Sequence, residues 1–196
     1  MFIPERYKNA ELNDKTECIR LLKDLKIGQG ALLCGKYGCG KTFALYAYGK
    51  EFNGPIIRRK TELRQKLSEG IKLTPEEYDE YEYNLNEKSI IFIGANEMYR
   101  ETKNFDTQSE NIYDYKGTGL LLIDDLGAEY AADSGYFQSI FDEIIDHRYN
   151  SFSTTVLTSN LSIEDFKKRY GGRITDRIKE WGFVYESAEP SLRGKV

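Results

Sequence analysis

Eight consecutive residues constrain this chain more than any others: Gly35-Lys36-Tyr37-Gly38-Cys39-Gly40-Lys41-Thr42. They match G-x-x-x-x-G-K-[ST] in full, between the apolar run Ala31-Leu32-Leu33-Cys34 and a segment from Thr42 to Lys50 that reads as a helix. Glycines let such a loop wrap so that its backbone N–H groups turn inward on phosphate oxygens. The helix that follows aims the positive end of its dipole at the same anion. Lys41 would bring a mobile charge to the β and γ phosphates and Thr42 a hydroxyl to Mg²⁺. A glycine-rich turn that merely joins strand to helix is the alternative, and the complete pattern in this context argues against it.

A phosphate loop of this kind needs a parallel sheet behind it, and the sequence supplies the strands. Ser89 to Ile93, Gly119 to Ile123 and Thr154 to Thr158 are further short apolar runs, and Phe183 to Glu186 is a plausible fifth strand. Helical spacing appears at Ile19, Leu21, Leu22 and Leu25 within Asp14–Leu25, and at Phe137, Ile140, Phe141, Ile144 and Ile145. Ser162 to Tyr170 is a further helix, with Ser162 and Asp165 placed as a capping pair. Strands alternating with helices predict an α/β fold of three layers, αβα, around a parallel sheet. Residues 58–88 break the rhythm. They are polar, basic first and acidic after, and Thr74-Pro75-Glu76-Glu77 is a helix start. This reads as an inserted helical hairpin, either a solvated pair of helices or a surface that docks a partner or DNA.

Leu120-Leu121-Leu122-Ile123-Asp124-Asp125 is an apolar strand that ends in two carboxylates. In a parallel sheet it delivers them to the edge where the phosphate loop lies. Asp124 would hold Mg²⁺ and Asp125 would orient or deprotonate an attacking water, unless the two acids only cap the next loop. Thr158-Ser159-Asn160 ends another strand at that edge, so the Asn160 amide would sit between the γ phosphate and the water; Asn is also a common turn residue.

With 40% hydrophobic and 31% charged residues in 196, the chain has the composition of one soluble domain. It has no apolar run long enough for a bilayer and no secretory leader, so a cytoplasmic protein without a membrane partner is expected. Cys18, Cys34 and Cys39 suit a reducing compartment better than a disulfide framework, and a zinc site would need ligands that the lone His147 does not complete. A net charge of −4 excludes a uniformly basic polyanion binder and leaves any nucleic-acid contact local.

Taken in order, these blocks resemble the helicase-loader branch of the AAA+ superfamily, the DnaC, DnaI and IstB type. The resemblance rests on Ile3-Pro4-Glu5-Arg6-Tyr7, Gly35 to Thr42, Asp124-Asp125-Leu126-Gly127-Ala128-Glu129 and Ile144-Ile145-Asp146-His147-Arg148-Tyr149. It continues through Leu157-Thr158-Ser159-Asn160-Leu161-Ser162, Gly172-Arg173-Ile174-Thr175-Asp176-Arg177 and Ser191-Leu192-Arg193. It implies a single AAA+ domain over residues 1–196, a P-loop NTPase core with a five-stranded sheet in the order 5-1-4-3-2. It also implies ATP or ADP with Mg²⁺ as cofactors, and a homo-oligomeric ring or spiral formed on ATP and DNA. Arg177 would enter a neighbour's site as an arginine finger, with Arg173 beside it, and Arg193 would act on its own subunit's nucleotide. On helical spacing alone the favoured reading of Arg173 and Arg177 is a surface ion pair, for instance with Asp176 or Glu180. The branch's partners are a replicative helicase with single-stranded DNA or, for the IstB type, a transposase on duplex DNA; a nucleotide-gated protein-binding module without turnover is a third reading. Asn96 to Asn104, with Tyr99, Arg100 and Lys103 before Phe105, corresponds to a single-stranded DNA element. Two departures stand out. Only 30 residues precede the first strand, where loaders usually carry a helicase-gripping domain, and almost no chain follows Arg193, which leaves no helical lid domain.

Overall fold

A computed structural model of the chain describes residues 4–13, 15–78, 90–129 and 135–191, with the side chains of 53–61 excepted. Its sheet explains why the strand segments are apolar without alternation. β1 (Gly30–Gly35), β2 (Ile90–Gly94), β3 (Leu120–Leu126), β4 (Thr154–Ser159) and β5 (Phe183–Ser187) pair in the order β2-β3-β4-β1-β5, every pair parallel. This is the expected order 5-1-4-3-2 read from the other edge. Successive side chains on a strand point to opposite faces, so a strand covered on both sides must be apolar at every position. Ala31, Leu33, Leu120, Leu122 and Val156 meet Cys18, Ile19, Leu22 and Leu45 on one face. Leu32, Leu121, Ile123 and Leu157 meet Phe137, Phe141, Ile144, Phe166, Ile174 and Ile178 on the other.

The first face is covered by α1 (Glu17–Lys23) and α2 (Lys41–Ser68). The second is covered by α3 (Ala95–Lys103), α4 (Gln108–Gly117), α5 (Tyr136–Asn150), α6 (Ile163–Tyr170) and α7 (Gly172–Trp181). Side chains start two of these helices. Thr16 Oγ1 accepts from Ile19 N at 3.2 Å, and Ser162 Oγ accepts from Asp165 N at 3.0 Å, the predicted capping pair. Behind the sheet Arg148 is fully buried and donates to the carbonyls of Tyr115 (2.9 Å), Thr118 (2.7 Å) and Thr154 (2.6 Å) and to Thr155 Oγ1 (2.7 Å). Its charge therefore faces carbonyl oxygens at the end of α4, where a helix dipole favours a cation. No helix among the described residues is long and apolar enough to cross a membrane.

The inserted hairpin takes a different form from the one expected. The helix after the phosphate loop does not stop near Lys50; α2 continues through Gly54-Pro55 to Ser68, so the first limb of the hairpin is its extension. Proline removes one backbone donor but does not forbid the turns on either side of it. The chain then reverses at Gly70, whose φ of 74° a side chain would resist. A new helix starts at Thr74: its Oγ1 accepts from Glu77 N at 3.2 Å, Glu77 Oε2 accepts from Thr74 N at 3.3 Å, and Lys66 pairs with Glu77 at 2.5 Å. Residues 79–88 of the hairpin lie outside the described part.

Candidate functional site

The phosphate loop begins where β1 ends. Gly35 has φ 127° and Gly38 φ 88°, in the region that favours glycine. Space forbids a side chain as well: a Cβ on Gly35 would stand 2.8 Å from the Ser187 carbonyl oxygen, and one on Gly38 would collide with Ser191. The segment after β5 thus packs against the loop and holds its shape. Lys36 and Tyr37 form the exposed tip and Cys39 is buried. α2 opens at Gly40 with no side-chain cap and no acid in its first turn. Its first N–H groups and its dipole therefore face the loop interior unopposed.

Lys41 is only 5% exposed, and its ammonium donates to Gly35 O at 2.7 Å, Lys36 O at 2.9 Å and Asn160 Oδ1 at 3.1 Å. The third contact joins the loop to the end of β4. Asp124 and Asp125 reach the same place through a bulge. The β3–β4 register shifts between Ile123 and Leu126, and Asp125 takes φ 58°. In a regular strand these neighbours would face opposite sides of the sheet; the bulge turns both carboxylates into one cavity. Thr42 Oγ1 donates to Asp124 Oδ1 at 3.0 Å, Thr158 Oγ1 donates to the same oxygen at 2.5 Å, and Asn160 Nδ2 donates to Asp125 Oδ1 at 2.6 Å. Thr158 Oγ1 also accepts from Asp125 N at 3.0 Å, which pins the bulge. Burial raises the Asp124 carboxyl above its ordinary range, while the Thr158 and Thr42 hydroxyls oppose the shift.

The donor set fits magnesium. Mg²⁺ takes hard oxygen ligands and is usually held by one or two protein groups together with phosphates and water. Thr42 and Asp124 present adjoining oxygens of that kind, and the described residues contain no cluster of three or more acidic, His or Cys side chains that would build a protein cage. The cavity has a volume of about 760 Å³, within the range of small-ligand sites. Its far wall comes from the N-terminal segment, Arg6, Tyr7, Lys15 and Thr16. Tyr7 stacks on Tyr46 (centroids 4.4 Å apart) and Tyr46 on Phe92 (4.1 Å), so an aromatic column anchors this wall to α2 and β2. The geometry can cradle polyphosphate at the loop and hold a water against Asp125, with Asn160 tying that carboxylate to Lys41.

Gly35 to Thr42, Asp124, Asp125 and Asn160 are therefore brought together. Arg173 and Arg177 are not; they lie on α7, outside this cavity. They do form ion pairs, but not with Asp176 or Glu180. Arg173 Nε donates to Asp142 Oδ1 at 3.1 Å, and Arg177 pairs with Asp146 and, at 3.9 Å, with Asp142. α5 supplies both acids because it packs beside α7. Arg193 lies outside the described residues. On α3, Tyr99 is turned edge-on to Phe137 at 5.8 Å with Lys103 over its ring, whereas Phe105 is 90% exposed. Thr158 and the wall at Arg6–Thr16 join the site without a motif that marks them in the sequence. The nearest signals are the hydroxyl two residues before Asn160 and the Pro4-Glu5-Arg6-Tyr7 block.

No protein-family model matches the chain. Among curated proteins it is 26% identical to the replicative helicase loader DnaI of Bacillus subtilis (strain 168) over 158 residues, 79% of this chain and 40% of that protein. It is 29% identical to the replicative helicase loader DnaC of Buchnera aphidicola (subsp. Acyrthosiphon pisum, strain APS) over 101 residues, 48% of this chain and 40% of that protein. The matched region thus spans well under half of these relatives. Among solved structures, a crystal structure of DnaI superposes with a TM-score of 0.61 at 21% identity, covering 98% of this chain and 95% of that one. The replication initiator DnaA bound to AMPPCP and single-stranded DNA gives 0.61 at 19% identity, covering 97% and 52%. The fold is that of their P-loop AAA+ domains.

Proposed function

We infer that this chain, whose sequence relatives are replicative helicase loaders and whose fold is the AAA+ core, binds ATP with Mg²⁺, hydrolyses it, and acts on a replicative helicase at single-stranded DNA. The observation that carries the reading is the Lys41–Asn160–Asp125 chain of contacts, which joins phosphate loop, strand-end amide and acidic bulge in one cavity. Thr42 and Asp124 would hold the magnesium, whose charge offsets that of the phosphates. Lys41 would bind phosphate oxygens, Asp125 would orient or deprotonate the attacking water, and Asn160 would fix Asp125. The N-terminal wall around Tyr7 would face the nucleoside.

Neither Arg173 nor Arg177 reaches this cavity from its own chain, so we assign their action to a neighbouring subunit in a head-to-tail assembly, with Arg177 as the finger. A trans arginine raises turnover by about 10³ to 10⁵. Arg193 is assigned to the nucleotide of its own subunit, and residues 1–196 to one AAA+ unit with the α2 extension as an accessory arm. The test is steady-state ATP turnover of the chain alone, with single-stranded DNA, with duplex DNA, and with a hexameric replicative helicase. Stimulation by single-stranded DNA and helicase together is expected. Stimulation by duplex DNA alone would favour a transposition regulator, and nucleotide binding without turnover in any mixture would favour a nucleotide-gated binding module.

A further inference from the structure

The phosphate loop holds a nucleophile that nucleotide chemistry does not use. Cys39 is buried within the loop; its thiol donates to Lys36 O at 3.1 Å, and the Lys41 ammonium donates to its sulfur at 3.5 Å. Its side chain is also hydrogen-bonded to Cys18 of α1 and to Ser187 at the end of β5. Cys18 is itself fully buried, two residues beyond Thr16, the cap of α1. Loop and helix are in contact here: a Cβ on Gly40 would come within 3.1 Å of the Thr16 methyl. Two thiols from separate elements therefore meet directly under the loop, with a cation beside one of them.

Their surroundings divide the pair into a nucleophile and a resolving thiol. The hydrogen bond from Cys18, then those from Ser187 and Lys41 and the Lys41 charge, pull the Cys39 thiol below its ordinary range against the effect of burial. Cys18, the donor to Cys39 and buried, is pushed up and keeps its proton. Cys34, on β1 itself, is raised by burial to about 12. Gly38, Gly40, Thr16 and Ile19 line the cavity and stand within two residues of one cysteine or the other.

We propose that Cys18 and Cys39 form a reversible disulfide on exposure to hydrogen peroxide, and that this bond closes the phosphate loop to nucleotide. The Cys39 thiolate attacks one peroxide oxygen and the O–O bond breaks. This leaves a sulfenic acid on Cys39 and a hydroxide that takes up the proton Cys39 had released. The Cys18 sulfur then attacks the sulfenic sulfur, the S–O bond breaks, and water leaves with the Cys18 proton. Two thiols and one peroxide become one disulfide and two waters, the sulfurs losing the two electrons that peroxide gains. A disulfide needs its sulfurs about 2.05 Å apart, well inside hydrogen-bond contact, so the loop is drawn onto α1. Lys41 and the inward N–H groups leave the positions that would grip phosphate. A transient bond of this kind is the form disulfides take in reducing compartments.

The consequence for nucleotide rests on the proposed ATP site; the disulfide itself does not. The test treats the reduced full chain with hydrogen peroxide and measures two things: the Cys18–Cys39 linked peptide by mass spectrometry of a non-reducing digest, and ATP affinity before treatment, after it, and after dithiothreitol. The linked peptide is expected, together with a loss of ATP affinity of at least about tenfold, set by the lost ammonium and N–H contacts to phosphate, and recovery on reduction. Cys18→Ala, with Cys18→Val as its folding control, should keep its affinity at the dose that converts the wild type. Absence of the linked peptide, a link to Cys34 instead, unchanged affinity in the linked protein, or an equal loss in Cys18→Ala would each overturn the proposal. If the reduced protein binds no ATP, the nucleotide reading fails, while the linked peptide still decides the cysteine pair.

Discussion

Thr158 is the residue through which the account of the acidic bulge is most exposed to test. Its one hydroxyl donates to Asp124 and accepts from the backbone of Asp125. Thr158→Val keeps the shape and removes both bonds. The bond to an ionised carboxylate is worth about 1.5–3 kcal/mol, and a buried N–H left without an acceptor costs about 1–3 kcal/mol. Because the bonds share one hydroxyl, their losses overlap, and a stability loss of about 2–4 kcal/mol is expected in urea denaturation. The functional effect is separate. Among the described residues Asp124 then keeps the Thr42 hydroxyl alone as a side-chain donor, and loss of such an outer partner typically weakens metal binding by about 10–100-fold. The assay is a Mg²⁺ titration of nucleotide binding by the folded variant, beside Thr158→Ser, which retains the hydroxyl. A shift of the magnesium midpoint by at least about tenfold in Val and within about threefold in Ser is expected. If Val leaves the midpoint unmoved, or Ser is as impaired as Val, Thr158 does not orient Asp124.

Two further substitutions probe other parts. Arg148→Met removes the hydrogen bonds of a fully buried guanidinium to Thr155 Oγ1 and to the carbonyls of Tyr115, Lys116, Thr118 and Thr154; a loss of about 3–5 kcal/mol, seen as a lower urea midpoint with an unchanged slope, is expected. A loss below about 1 kcal/mol would show that water or neighbouring groups replace it. Arg177→Ala should leave nucleotide affinity intact, lower turnover of the assembled protein by about 10³, and leave the dilute monomer unaffected. Equal turnover of variant and wild type in the assembled state would remove its assignment in trans.

The α/β class and the phosphate loop were legible because each rests on a local rule. β1 and the first four residues of β3 are continuous apolar runs, and Gly35 to Thr42 matches its full spacing pattern between a strand and a helix. Strand order was not local; it came with the family resemblance. α4, Gln108–Gly117, went unread because Tyr115 is its only buried residue and leaves no apolar period. The helix read over Thr42 to Lys50 runs on to Ser68, because Gly54-Pro55 removes one backbone donor without ending the helix. The acids were found, but not the bulge that aims both of them: a φ of 58° at Asp125 is set by the pairing of β3 with β4 and by Thr158, not by Asp125 itself. The same holds for Arg173 and Arg177, whose partners Asp142 and Asp146 sit on a helix more than 20 residues earlier in the chain.

The most direct measurement is calorimetric titration of ATP into the reduced chain, with and without Mg²⁺, for the wild type and Lys41→Ala. One ATP per chain is expected, with affinity that rises when magnesium is present and falls at least about tenfold when the Lys41 ammonium is removed. No heat of binding in the wild type, or equal affinity in Lys41→Ala, would contradict the claim that these residues form a nucleotide site.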